Sequence, residues 1–156
     1  MGKTVVRKPR ETQAFWMLNS LYEVEVSSDE SDGQVTVMQM TVAPGFGPPP
    51  HVHEGGESVY VLEGQVRYHI GGETFEGGPG TFFYVPPGVE ENFEPAGDKP
   101  LKVLVVYTPG GMDKFFAEAG DPAERHELPT PTEPDLDRII RTAAKHGLEI
   151  RAPATA

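Results

Sequence analysis

The chain has no cysteine, which excludes a disulfide framework and any thiolate metal site, so a bound metal must be held by imidazole and carboxylate. Basic residues are also scarce. Thirteen Lys and Arg stand against 24 Asp and Glu, and the net charge of -11 repels phosphate backbones and anionic membrane surfaces. With no basic stripe either, neither nucleic acid nor a membrane is expected as a partner. No apolar run approaches the roughly 18 residues of a spanning helix. The segment from Met1 to Arg10 is basic but lacks the apolar centre of a signal peptide, so a cytoplasmic location is expected. A GxSxG elbow, a Gly-rich phosphate loop and a CxxC pair are all missing, which sets aside serine and thiol nucleophilic catalysis.

What is abundant is turn chemistry. A chain of 156 residues suits one domain with appendages, and its 18 glycines and 16 prolines are dispersed between short apolar runs, which favours an all-β fold. Leu21 to Val26 and Gln34 to Val42 alternate with the period of a strand, and the acidic run Ser27 to Gly33 between them reads as a loop. Gln65 to Ile70 and Glu73 to Glu76 form a hairpin across Gly71-Gly72, and Thr81 to Val85 and Leu101 to Tyr107 supply further strands. About eight short strands of this kind predict a small antiparallel jelly-roll barrel.

One stretch carries chemistry. In Gly45-Phe-Gly-Pro-Pro-Pro-His51-Val-His53-Glu-Gly-Gly-Glu57, the two histidines share one face of a strand. They are separated by roughly 7 Å of rise, so both can lean toward one ion at a ligand distance of about 2 Å. Pro48-Pro49-Pro50 holds the approach to them extended. Glu57 returns after the Gly55-Gly56 turn, with Val59 and Val61 following on its face.

These residues resemble the first motif of the cupin superfamily, G-x5-H-x-H-x3-E-x6-G, from Gly45 through His51, His53 and Glu57 to Gly64. Gly80 to Glu91 begins the second motif, G-x5-P-x-G-x2-H-x3-N, with Pro86 and Gly88 in place. Glu91 then stands where the family has its histidine ligand, and Pro95 where it has asparagine. The resemblance covers about residues 34 to 110. It implies one divalent transition metal per chain (Mn, Fe, Ni, Co, Cu or Zn) held by His51, His53, Glu57 and Glu91. For Glu91 four readings stand open: a ligand, a general acid or base outside the metal shell, a position replaced by Glu90 or Asn92 through a register shift, or a surface carboxylate. As a ligand it would leave a divalent ion formally neutral, where a shell of three histidines and one glutamate leaves one positive charge. Met38, Met40, Val59, Val61, Phe82 and Tyr84 are the expected pocket residues.

The layout expected is N-terminal strands and acidic loop over 1–33, a cupin barrel over 34–110, a helical appendage over 111–150 covering barrel surface, and a frayed tail over 151–156. The first helix follows from Met112, Phe115, Phe116 and Ala119, and ends at Gly120-Asp121-Pro122. The second starts near Thr132-Glu133-Pro134, buries Leu136, Ile139, Ile140 and Ala143, and stops at Gly147. Similar C-terminal segments accompany bacterial cupins that resemble quercetin dioxygenases. That resemblance implies an oxidoreductase using O2 on a small organic substrate. A metal-assisted isomerase, lyase or cyclase using Glu91 as acid or base is the alternative, and a non-enzymatic binding module ranks last. A homodimer is expected, with the segment before Gln34 supplying strands to the neighbour.

Overall fold

The computed structural model describes residues 1–151. In chain order these form β1 (Gln13–Met17), β2 (Ser20–Val26), β3 (Thr36–Val42), β4 (His51–His53), β5 (Gly56–Glu63), β6 (Val66–Ile70) and β7 (Glu73–Gly77). There follow β8 (Phe82–Val85), β9 (Glu90–Pro95), β10 (Leu101–Thr108), α1 (Met112–Ala119), β11 (Asp121–Pro122), α2 (Leu136–Ala144) and β12 (Leu148–Ile150). The strands make two antiparallel sheets of a jelly roll, one in the order β11-β1-β2-β3-β10-β5-β8 and the other β12-β4-β9-β6-β7.

Alternation decides what each strand buries. Met38, Met40 and Val42 on β3, Val59 and Val61 on β5, and Leu101, Val103 and Val105 on β10 all point into the space between the sheets. Val66, Tyr68 and Phe93 fill it from the other sheet. A fully buried aliphatic side chain of this kind contributes about 1.5–3 kcal/mol. The segment before Gln34 pairs within its own chain, β1 on β2 and β2 on β3.

The C-terminal elements do more than cover surface. Asp113, buried at the start of α1, accepts hydrogen bonds from Ser28 N (3.2 Å), Ser28 Oγ (3.1 Å) and Thr36 Oγ1 (2.7 Å), which pins the helix to β3 and the acidic loop. α2 starts at Asp135, whose carboxylate accepts from Arg138 N. It buries Ile139, Thr142 and Ala143 but leaves Leu136 and Ile140 about half exposed, against expectation. The reason is that α2 packs chiefly on α1 and β12, along one narrow stripe, and Ile140 lies about 100° round the helix from Ile139. His146 falls just past the helix end and sets Nε2 2.8 Å from Glu118 Oε2 on α1. After Gly147 the chain does not stop, for Leu148–Ile150 becomes β12 and pairs with β4. Of the tail expected to fray, Arg151 is tied by its N–H to Pro50 O at 2.8 Å, and residues 152–156 lie outside the described part.

Candidate metal centre

β4 is only three residues long, and β12 and β9 hold it from both sides. Its alternation turns His51 and His53 inward, each 6% exposed, and Val52 outward. Just before it, the carbonyl of Pro49 accepts from His51 Nδ1 at 2.8 Å. That bond fixes the ring and leaves Nε2 free to face the cavity. Glu57, second in β5, lies on the same inward face as Val59 and Val61.

The turn before β9 settles the position of Glu91. Gly88, at φ +82°, takes a backbone shape that a side chain resists, and its N–H reaches His53 O at 3.0 Å. β9 then pairs so that Glu91 stands directly opposite His51 on one side and Ile70 on the other. Residues directly opposed across a sheet share a face, so Glu91 points where His51 points. It is buried at 1% exposure. Glu90 faces solvent and meets Arg151, and Asn92 sits on the opposite face from Glu91, so neither takes its place. The surface-carboxylate reading of Glu91 does not hold.

One ligand atom from each of His51, His53, Glu57 and Glu91 lies within 4.8 Å of every other. His51 Nε2 is 3.6 Å from Glu91 Oε1, and His53 Nε2 is 3.1 Å from Glu57 Oε2. Tyr68 on β6 donates to Glu91 Oε1 at 2.8 Å, the same oxygen that faces His51, and so fixes the carboxylate. His53 Nε2, Glu57 Oε2 and Glu91 Oε2 are buried without any hydrogen-bond partner. Buried polar atoms are seldom left so. Three that converge, all electron-pair donors, fit a divalent cation.

The electrostatics are those of acids crowded away from water. Burial, and next the charge of Glu57, push the Glu91 carboxyl up to about 8. Burial, with the nearby His51, draws His53 down to about 4. For His51 burial also acts downward, but the facing Glu91 and the Glu57 charge outweigh it and the net shift is upward. The Tyr68 and Tyr107 phenols are raised well above their usual range, first by burial and then by the charge of Glu57.

Residues 38–107 match the family described as the cupin domain. The chain contains a cupin domain. Quercetin 2,3-dioxygenase of Bacillus subtilis is 28% identical over 137 residues, covering 86% of this chain but 40% of that protein, so the chain spans less than half of that relative. The polyketide cyclase RemF of Streptomyces resistomycificus shares 25% identity at a TM-score of 0.58, over 69% of this chain and 80% of that one. An RmlC-like cupin of Shewanella frigidimarina, 15% identical, shares the fold at a TM-score of 0.63 over 72% of this chain and 96% of that one.

In this cupin three of the four candidate ligands, His51, His53 and Glu57, border an apolar cavity, and Glu91 lies behind them. Met17, Tyr22, Met40, Phe93 and Tyr107 line it from the sheets, and Phe115, Phe116, Ile139, Leu148 and Ile150 from the C-terminal elements. Of the six expected pocket residues only Met40 borders it. Met38, Val59 and Val61 are sealed in the core at 0% exposure. Phe82 and Tyr84 stand on the outer face, 59% and 56% exposed, because pairing of Val85 with Glu57 turns Phe83 and Val85 inward. Reasoning from sequence missed Tyr68, which sits in an ordinary alternating strand, and the whole C-terminal wall. The alternation of Leu148 and Ile150 was the one signal for β12.

Proposed function

We propose that the protein is a metal-dependent enzyme of dioxygenase-like type, in which His51, His53, Glu57 and Glu91 hold one divalent transition metal and a small enolic or phenolic substrate reacts with O2. The observation that carries this reading is the set of three orphaned buried ligand atoms on His53, Glu57 and Glu91, the first two of these residues lining an apolar cavity. Likeness to the Bacillus subtilis quercetin 2,3-dioxygenase supports the reaction class. The bound ion would supply Lewis acidity toward a substrate oxygen and, if redox-active, reactivity toward O2. The chain's own part is to orient and to exclude water. Tyr68 holds the Glu91 carboxylate, the Pro49 carbonyl holds His51, and the apolar walls keep bulk water from the reacting atoms. The test is O2 consumption by iron-, manganese- or nickel-loaded protein with a panel of flavonols and simpler phenols. Turnover that needs O2 supports the reading.

A second reading has its own support. If His51, His53 and Glu57 alone hold the ion, the buried Glu91 carboxyl that Tyr68 fixes beside them suits redox-neutral proton transfer in a cyclisation or isomerisation. Turnover that is unchanged without O2, and lost in Glu91→Gln with metal retained, favours this reading over the first.

A further inference from the structure

The cavity bordered by His51, His53 and Glu57 is too small for the substrate it is asked to hold. The space open to water centres measures ≈ 40 Å³, room for about three waters at roughly 10–15 Å³ each, and a phenolic ring needs more. One wall must therefore move. The sheet wall is locked by the long ladders of β3, β10 and β5. The opposite wall is built differently. Residues 123–135 carry neither helix nor strand and lead into α2, which packs chiefly on α1 and β12. Exposed side-chain bonds of Arg138, Lys145 and His146 hold α2 and the turn after it to Glu118 and Asp121. β12 then joins the sheet at its outer edge through three residue pairs, Leu148 with His53, Glu149 with Val52 and Ile150 with His51, flanked by the Glu54 N–H on Gly147 O and the Arg151 N–H on Pro50 O. Losing those pairs leaves β4 still held by β9 and leaves the Pro49–His51 bond intact.

We propose that α2 and β12 form a hinged flap that opens to admit the substrate, and that Ile139, Leu148 and Ile150, which it carries over the ligands, set the ring size accepted. This rests on the reading of the site as one that binds a metal and an organic substrate. No lysine or arginine lines the cavity, so the occupant has an uncharged, ring-sized body with one oxygen turned toward the ligands. That distinguishes it from a small dicarboxylate, whose second carboxylate, the one turned away from the metal, would meet only apolar wall and no basic side chain.

The chain's lack of cysteine makes the flap testable by a single tether. Val52 and Glu149 are directly opposed across β4 and β12, with side chains turned away from the cavity, at a spacing of about 4.5–5.5 Å that suits a disulfide. In zinc-loaded full-length Val52→Cys/Glu149→Cys protein, association of 2-naphthol is followed by fluorescence with the disulfide formed and then reduced. The oxidised form should bind at least tenfold more slowly than the reduced one at equal zinc content. Ile139→Ala should favour the wider 1-pyrenol over 2-naphthol at least fivefold more than the wild type does. Equal association rates at normal zinc content overturn the flap alone. An unchanged ring preference overturns the role of Ile139. Reduced protein that binds zinc but not 2-naphthol overturns the assigned ligand class, and failure to take up zinc overturns the metal-site reading together with the flap.

Discussion

His51 and Glu91 stand directly opposite each other on β4 and β9, both buried, with Nε2 3.6 Å from Oε1. A cross-strand pair normally places similar or complementary side chains together to stabilise the sheet. Here it places a base and an acid with no water to share, next to a second carboxylate and a second imidazole. Burial of uncompensated charge costs several kcal/mol per ion, and a divalent cation held among these side chains would offset that cost.

Tyr68 is the support on which this geometry turns, because its hydroxyl donates to Glu91 and fixes the carboxylate beside His51. Tyr68→Phe keeps the ring packing against Phe83 and Phe93. Metal affinity should fall by roughly 10–100-fold while the fold is retained. Competition titration with a chromophoric chelator, alongside circular dichroism, checks both halves.

The pH dependence follows from two shifts of opposite sign. Glu91, raised from 4.5 to about 8 in the metal-free protein, favours the folded state when protonated, so its contribution is complete below pH 4.5 and is lost as pH rises through 8. His53, lowered from 6.5 to about 4, favours the folded state when neutral, so its contribution is present above pH 6.5 and is lost as pH falls through 4. A metal needs Glu91 ionised and both imidazoles neutral at Nε2. Affinity should therefore tighten about tenfold per pH unit on approaching pH 8, with at least one proton released per ion bound near pH 7. Calorimetry in buffers of different ionisation enthalpy counts that proton.

Asp113 predicts stability rather than chemistry. It collects three hydrogen bonds from Ser28 and Thr36 in a buried place, so Asp113→Ala leaves those donors unmet and should cost about 3 kcal/mol in urea unfolding. Phe82→Ser and Tyr84→Ser, on the exposed outer face, should change stability by less than about 0.5 kcal/mol and leave metal content alone.

Legibility in the sequence followed the reach of each signal. The period of two located most of the sheet, and the spacing from Gly45 to Gly64 located His51, His53 and Glu57, because strand geometry fixes which side chains share a face over so short a span. Glu91 stayed ambiguous because its register depends on the left-handed turn at Gly88, which no alternation pattern encodes. Phe82 and Tyr84 were placed on the wrong face for a similar reason: two aromatic pairs alternate over Phe82–Val85, and only the pairing with β5 chooses between them. The helix over Met112–Ala119 was plain in its apolar spacing, but where it and α2 dock is a long-range fact. β12 was lost because three residues carry too little periodicity to read.

The central claim is that the four buried side chains hold one metal ion. Its most direct test is elemental analysis of purified wild-type, His51→Ala and His53→Ala protein, each shown to be folded. The account predicts about one divalent transition metal per chain in the wild type and loss of it in both variants, since too few ligands remain. Metal content unchanged in both variants would contradict it.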